Sequence, residues 1–353
     1  MTGATTTMRE PRRPPTLRGF GRSLLPQSML ARTALRRIFL GVLTLLLVSI
    51  VVFVATRLLP GDAAQAVLGR SSTPARLSAL RGQLGLDRPV LSQYGSMVSG
   101  IVTGHPGRSL STGQPVLQLV GPRLVNSLWL LLVASLVSIP VALAMGIIAA
   151  ARQGRPVDRI LSTVSLAAAA VPEFVVAIAL VILLAVVVLH LFPPVSLVAP
   201  DASVWADPSV LVLPCLSLII VATPYMFRMT RASMIEILQS DYVEMARIKG
   251  VSDRVILIKH ALPNALAPII QSIALTLAYL AGGVVVIEYV FGYPGIGQGL
   301  VNAVSLRDLS TLQFIVLVLA TFYVLVNITA DLVAILVTPR LRTRTATLEL
   351  DEP

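Results

Sequence analysis

The sequence predicts an all-α polytopic membrane protein with six transmembrane helices and a large first extracytoplasmic loop. Three observations predict it. Of 353 residues, 55% are hydrophobic and only 13% are charged, roughly half the charged share of a soluble domain, and the mean hydropathy is +0.84. Six segments, near 38–57, 124–150, 160–190, 209–230, 264–290 and 312–337, approach or exceed the roughly 20 apolar residues that span a bilayer. Finally, Lys and Arg are concentrated in alternate connections between those segments, the pattern that sets membrane orientation.

Residues 1–36 read as a cytoplasmic tail. Its Glu10-Pro11-Arg12-Arg13-Pro14-Pro15 stretch has the composition of a disordered segment. The first apolar run begins near Arg37 and no small-residue cleavage site follows it, so it is expected to be an uncleaved span. Loop 58–123 is long enough for small helices of its own. Thr73-Pro74-Ala75 can start one, with Thr73 as N-cap and Pro74 in the first helical position; Gly82 or Gly85 can end it. The third span contains Val171-Pro172-Glu173-Phe174, and Pro172 is expected to kink it.

Orientation follows from the cations. Arg9 through Arg37 crowd the first tail; Arg152, Arg155 and Arg159 lie between spans two and three; Arg228 through Lys259 lie around the connection of spans four and five; Arg340, Arg342 and Arg344 follow span six. Residues 191–208 hold no Lys or Arg, and 291–311 hold only Arg307; loop 58–123 carries several Arg but is long, and long loops translocate largely regardless of charge. Both termini are therefore expected in the cytoplasm, with 37–338 as the membrane domain, 231–263 as a cytoplasmic loop and 339–353 as a second cytoplasmic tail. The net charge of +11 is a topology signal; no aromatics interleave the Arg residues as a nucleic-acid surface needs.

Several chemistries are excluded. A phosphate loop needs Gly-Lys followed by Ser or Thr, and the only lysines, Lys249 and Lys259, do not follow Gly. His105, His190 and His260 are far apart, with no zincin pattern and no Gly-x-Ser-x-Gly elbow. The single Cys215 sits in an apolar run. No catalytic residue, cofactor ligand or metal ligand is expected.

The segment Gln239-Ser240-Asp241-Tyr242-Val243-Glu244-Met245-Ala246-Arg247-Ile248-Lys249-Gly250 reads as a short helix with its own start and stop. Asp241 as N-cap and Glu244 three residues later form a capping-box-like pair, and both carboxylates suit a helix N-terminus. Gly250 stands where a left-handed terminator belongs. A second helix begins near Ser252 or Asp253 and enters the membrane near Leu262-Pro263. On these grounds alone the element is either a docking helix or an ordinary solvated loop.

Glu244-x-Ala246-x-x-x-Gly250, followed after nine residues by His260-x-Leu262-Pro263, resembles the EAA loop of ABC importer permeases. Met245 and His260 depart from the usual Ala and Ile; His-Ala-Leu is similar to the peptide branch. Arg228-Met229-Thr230-Arg231-Ala232-Ser233-Met234 and Phe291-Gly292-Tyr293-Pro294-Gly295-Ile296-Gly297 resemble stretches of dipeptide, oligopeptide and nickel permeases. Leu59-Pro60-Gly61-Asp62, Leu84-Gly85-Leu86-Asp87-Arg88-Pro89, Gln93-Tyr94, Arg36-Arg37 and Pro339-Arg340-Leu341-Arg342 look like the first, B-type permease of the peptide systems. Gly104-His105-Pro106-Gly107 departs from that pattern.

The resemblance implies a type I ABC importer permease of the bacterial cytoplasmic membrane. It would move peptides, di- or oligopeptides above all, by alternating access. Asp241, Glu244, Ala246, Gly250, Leu262 and Pro263 would couple it to the ATPase. The implied partners are a second homologous permease, two cytoplasmic ATPase subunits that carry ATP and Mg, and an extracytoplasmic binding protein. A secondary transporter is the alternative, but no inverted repeat with paired broken helices is evident.

Glu173, Glu288 and Asp331 fall inside or at the ends of spans, where a charge is costly and usually faces the bundle or water. Glu173, beside Pro172, is the leading candidate for the translocation pathway, with Glu288 a second, just before the Gly/Pro motif. Asp331 has Arg340 or a neighbour as its expected partner.

Overall fold

A computed structural model describes residues 27–58, 65, 68, 73–83, 86–188, 190–198 and 204–337. The Glu10–Pro15 stretch, Leu59-Pro60-Gly61-Asp62, Leu84-Gly85 and the segment from Pro339 onward lie outside them. The principal helices are α1 (Gln27–Leu58), α2 (Pro74–Gln83), α3 (Val90–Val102), α4 (Val116–Ala151), α5 (Pro156–Ala170) and α6 (Glu173–Leu180, continued by a π turn at Val181–Val186). They continue with α7 (Ser209–Leu238), α8 (Asp241–Ile248), α9 (Asp253–Phe291, with a π turn at Ile256–Ala261), α10 (Ile296–Ser305) and α11 (Leu309–Val337).

Among the described residues, five helices are each long and apolar enough to cross a bilayer: α1 from Ala34, α4, α7, α9, and α11 as far as Val333. Helices α5 and α6 form a sixth candidate, bent by 102°. Contacts with α7 make the bent pair a full crossing. Arg231 Nε donates to Asp158 at 2.6 Å. Ser165 Oγ donates to the Pro224 carbonyl at 3.4 Å, and Ser196 Oγ to the Val210 carbonyl at 2.6 Å. The chain therefore follows α7 from its last turns back to its first.

The bend follows from Pro172. A residue before proline is pushed from the helical region, and Val171 is extended at φ −90°, ψ 127°. Pro172 at φ −57°, ψ 143° then precedes the first residue of α6, Glu173, where a carboxylate suits the positive end of the helix dipole.

Helix α7 is the centre of the bundle and packs on α4, α9, α5 and α6. Its approach to α4 is set by small residues. Ala134, Ser138, Ala142, Gly146 and Ala150 recur every four positions and all are buried. A Cβ on Gly146 would lie 2.7 Å from Thr230 Cβ. Between helices already surrounded by lipid, such close van der Waals contact replaces the hydrophobic drive available in water.

Helix α1 lies at the edge against α11. Gly41 meets Val324, Gln313 Nε2 donates to Thr56 Oγ1 at 2.8 Å, and Arg37 pairs with Asp331 at 2.8 Å. Of the two expected partners for Asp331, Arg340 or a neighbour, the structure shows a neighbour, Arg37 of the adjoining helix. The outward side chains Leu43, Leu47, Ile50 and Val54 are exposed, as a lipid-facing surface requires.

Two boundaries differ from expectation. Helix α1 begins at Gln27 rather than 37, because Met29, Leu30, Ala31, Leu35 and the arginines there are good helix formers. Helix α4 begins at Val116 rather than 124, so the last part of the expected outer loop is helical. In that loop Thr73 does cap α2, accepting from the Arg76 N–H at 3.4 Å; the helix passes Gly82 and runs to Gln83.

Candidate functional site

Helix α8 is a discrete unit between α7 and α9. Its N-cap is Ser240 (φ −78°, ψ 149°), and the Ser240 hydroxyl turns back to the Ile237 carbonyl at 2.5 Å instead of capping. Asp241 is therefore the first helical residue. The expected Asp241–Glu244 capping box does not form, although both carboxylates stand in the first turn, where the dipole favours them. The preceding serine has displaced the aspartate from the cap.

The stop is as read. Gly250 has φ +77°; its N–H bonds the Arg247 carbonyl at 2.9 Å, and the Val251 N–H bonds the Ala246 carbonyl at 3.1 Å. This is a Schellman terminator. Val243 is fully buried and anchors the helix, which packs on α7 and the π turn of α9. Asn264 Nδ2 donates to the His260 carbonyl at 2.6 Å and to the Tyr242 hydroxyl at 3.3 Å. The outer face presents Asp241, Glu244, Met245, Arg247 and Ile248, with Ala246 half-buried.

The second helix of the loop is the start of α9 itself, unbroken from Asp253 to Phe291. Pro263 explains the π turn just before it. Its ring excludes the carbonyl four residues back from normal helical geometry and it offers no N–H; a wider turn absorbs the defect. Leu262 is half-buried and Pro263 exposed at this joint.

At the broken span, Glu173 Oε2 accepts from the Tyr279 hydroxyl at 3.5 Å. It rests against Gly283 of α9, where a Cβ would lie 2.6 Å from Oε2. Beside it is a cavity of about 330 Å³ lined by residues that include Val171, Tyr225, Arg228, Leu275 and Tyr279.

Glu288 lies elsewhere and is fully buried. It accepts from the N–H groups of Gly297 (2.7 Å) and Gln298 (3.3 Å) at the start of α10, and from the Ser127 hydroxyl of α4. Enclosed by protein, it holds the Gly/Pro turn. Gly292 enters that turn at φ +63°. Gly295 lies where any Cβ would overlap the Glu288 carboxylate, at 2.0 Å. Asn126 Nδ2 donates to the Pro294 carbonyl at 3.0 Å, and the Tyr293 hydroxyl to the Asn126 carbonyl at 2.9 Å. The motif is a fixed joint between α4, α9 and α10, neither a plain surface turn nor an open one.

Residues 142–343 match the inner membrane component of binding-protein-dependent transport systems, and residues 29–139 match the N-terminal part of such components. The chain belongs to this family. It is the permease component of an ABC importer, a transport subunit and not a catalytic enzyme. The permease is 36% identical over 308 residues to the probable peptide ABC transporter permease protein y4tP of Sinorhizobium fredii, covering 87% of this chain and 98% of that one. It is 33% identical over 299 residues to the glutathione transport system permease protein GsiC of Escherichia coli, covering 85% and 95%. The methionine ABC transporter MetNI, solved in inward-facing conformations, shares the fold at a TM-score of 0.52 and 18% identity, covering 63% of the permease and 97% of that chain.

The permease also uses two aspartates that sequence reading passed over. Asp308 caps α11 by accepting from the Thr311 N–H (3.3 Å) and hydroxyl (2.8 Å). It also binds the Leu110 N–H (3.0 Å) and the hydroxyls of Ser109 and Ser111. The sequence Asp308-Leu309-Ser310-Thr311 carries a legible N-cap signal; the tie to residues 109–111 does not show there. Asp158 receives Arg231, and nothing local relates two residues on different spans. His105 closes α3: its N–H reaches the Gly100 carbonyl at 2.7 Å, with Gly104 at φ +77°. The 104–107 departure therefore forms a helix terminator.

Proposed function

We propose that this permease carries di- or oligopeptides across the bacterial cytoplasmic membrane. It works beside a second homologous permease, two cytoplasmic ATPases and an extracytoplasmic binding protein. The relatives named for peptide and glutathione transport support the substrate class. The cation-rich ends and the 152–159 and 231–259 segments support cytoplasmic termini, consistent with six crossings.

The observation that carries the mechanism is α8, a self-terminated helix whose outer face leaves Met245 53% and Ile248 73% exposed. Apolar side chains standing free on a charged helix suit a partner surface. In this reading Asp241, Glu244, Ala246 and Gly250 form the face that docks the ATPase, and Leu262 and Pro263 shape its joint to α9. ATP and Mg bind the partner subunits. Closure of the two ATPases pushes α8, and α9 passes the push unbroken toward Tyr279 and Gly283 at the broken span. Pro172 and Glu173 there lie on the route, which opens alternately to each side.

Co-purification tests this. The parent permease is expected to retain its ATPase, and the Glu244→Ala, Gly250→Val double variant to lose it or to hydrolyse ATP without transport. A complex that stays intact and fully coupled overturns the docking assignment.

A further inference from the structure

We infer that the cavity beside Pro172 is a subsite for a short peptide with free ends, in which Arg228 takes the carboxylate and Glu173, backed by Tyr279, takes the ammonium. This rests on the reading that the permease carries peptides.

Both charges lie within spans, where an ionisable group ordinarily has a partner or faces a water-filled cavity. Among the described residues Arg228 makes no hydrogen bond or ion pair, although Arg231, one turn on, is fully engaged by Asp158. Arg228 lines the cavity. Glu173 stands just behind the wall: among the described residues its one hydrogen-bond partner is the Tyr279 hydroxyl at 3.5 Å, and Tyr279 lines the cavity. The remaining wall includes Ala168, Ala169, Val221 and Leu275, which offers side chains apolar contact without selecting among them.

The two charges stand at opposite ends. Helices α7 and α9 run antiparallel: Met234 clusters with Ala261 and Ala265, and the Ser196 segment bridges Val210 to Phe291. Arg228 lines the cavity with Leu275, whereas Glu173 faces Gly283, eight residues further along α9. Eight helical residues rise about 12 Å at 1.5 Å per residue. An extended chain spans at most about 3.5 Å per residue, so the poles suit a peptide of about three to four residues. The guanidinium fork matches a carboxylate with two parallel hydrogen bonds.

The complete complex, reconstituted in vesicles with its binding protein and ATPase, tests this with labelled trialanine, its C-terminal amide and its N-acetylated form. The parent is expected to prefer the free acid to the amide. Arg228→Gln should lower acid uptake at sub-saturating peptide by at least about tenfold, the worth of one charged hydrogen bond, and abolish the preference; Arg228→Lys should keep part of it. Glu173→Gln should abolish the preference for a free amino end. An acid-to-amide ratio in Arg228→Gln equal to the parent's overturns the proposal. So does loss of the ATPase from the purified Arg228→Gln complex, which assigns Arg228 to assembly. A parent complex that hydrolyses ATP yet moves no peptide overturns the peptide reading, and the subsite with it.

Discussion

Arg231 on α7 grips Asp158 on α5 through two parallel hydrogen bonds, Nε to Oδ1 at 2.6 Å and Nη2 to Oδ2 at 2.9 Å. Asp158 is buried, with Arg231 partly so, and its Oδ2 also accepts the Gly154 N–H at 2.9 Å. The pair ties the connection before the broken span to the central helix. Removing one partner of a buried pair costs about 3–5 kcal/mol; part exposure of Arg231 reduces this to about 1–3 kcal/mol. Asp158→Asn and Arg231→Gln should each lower the thermal midpoint of the detergent-solubilised complex. Arg231→Lys should recover only part, because a single ammonium cannot reproduce the fork. Unchanged midpoints in both single variants count against the tie.

Glu288 serves the Gly/Pro joint, so its neutral isostere and its truncation should separate. Glu288→Gln keeps an acceptor for the Gly297 and Gln298 N–H groups, while Ser127 can reorient toward the new amide. Glu288→Ala leaves those donors buried and unpaired, at about 1–3 kcal/mol. Thermal unfolding should rank parent, Gln and Ala in that order. Gly295→Ala should be at least as damaging as Glu288→Ala, since its Cβ would overlap the carboxylate. A Gln variant that keeps its stability but loses transport would return Glu288 to the pathway.

Gly250 supplies the left-handed turn that ends α8. A side chain in that conformation costs about 1–2 kcal/mol, and Asn is the mildest replacement. The amount of co-purified ATPase should fall in the order Gly, Asn, Val. Equal recovery across the three would separate docking from the shape of this turn.

Asp308 joins the long loop before α4 to α11. Asp308→Ala should cost about 0.5–2 kcal/mol for the lost cap and free residues 103–115 from their anchor. Limited proteolysis of the detergent-solubilised complex is expected to cut there faster than in the parent. Protection equal to the parent's would show that α3 and α4 hold the loop without Asp308.

Gly146 sets the distance between α4 and α7. Gly146→Val places atoms inside contact range of Thr230 and should destabilise the bundle by about 1–3 kcal/mol. Thermal unfolding reads this, and Thr230→Ala in the same chain should restore part of the loss by making room.

Local features were legible where a residue acts on its own chain. Apolar runs marked the spans, Pro172 marked the break, Thr73 the start of α2 and Gly250 the end of α8, because hydropathy and backbone preference depend on the residue and its neighbours in sequence. The N-cap of α8 was misplaced by one residue because Ser240 and Asp241 are both good cap formers, and their competition is settled by how α7 delivers the chain.

By itself, the amino-acid sequence determined a membrane protein of six candidate spans, with the third broken at Pro172, and a self-terminated charged helix between the fourth and fifth. Tertiary structure alone decided the uses of the charges. Glu288 closes the Gly/Pro joint, Asp158 holds Arg231, Asp331 pairs with Arg37, and Arg228 remains open to a cavity near Glu173. The physical reason is range. Spans and turns arise from contacts a few residues apart, whereas the role of a charge at membrane depth depends on which distant helix the fold brings against it.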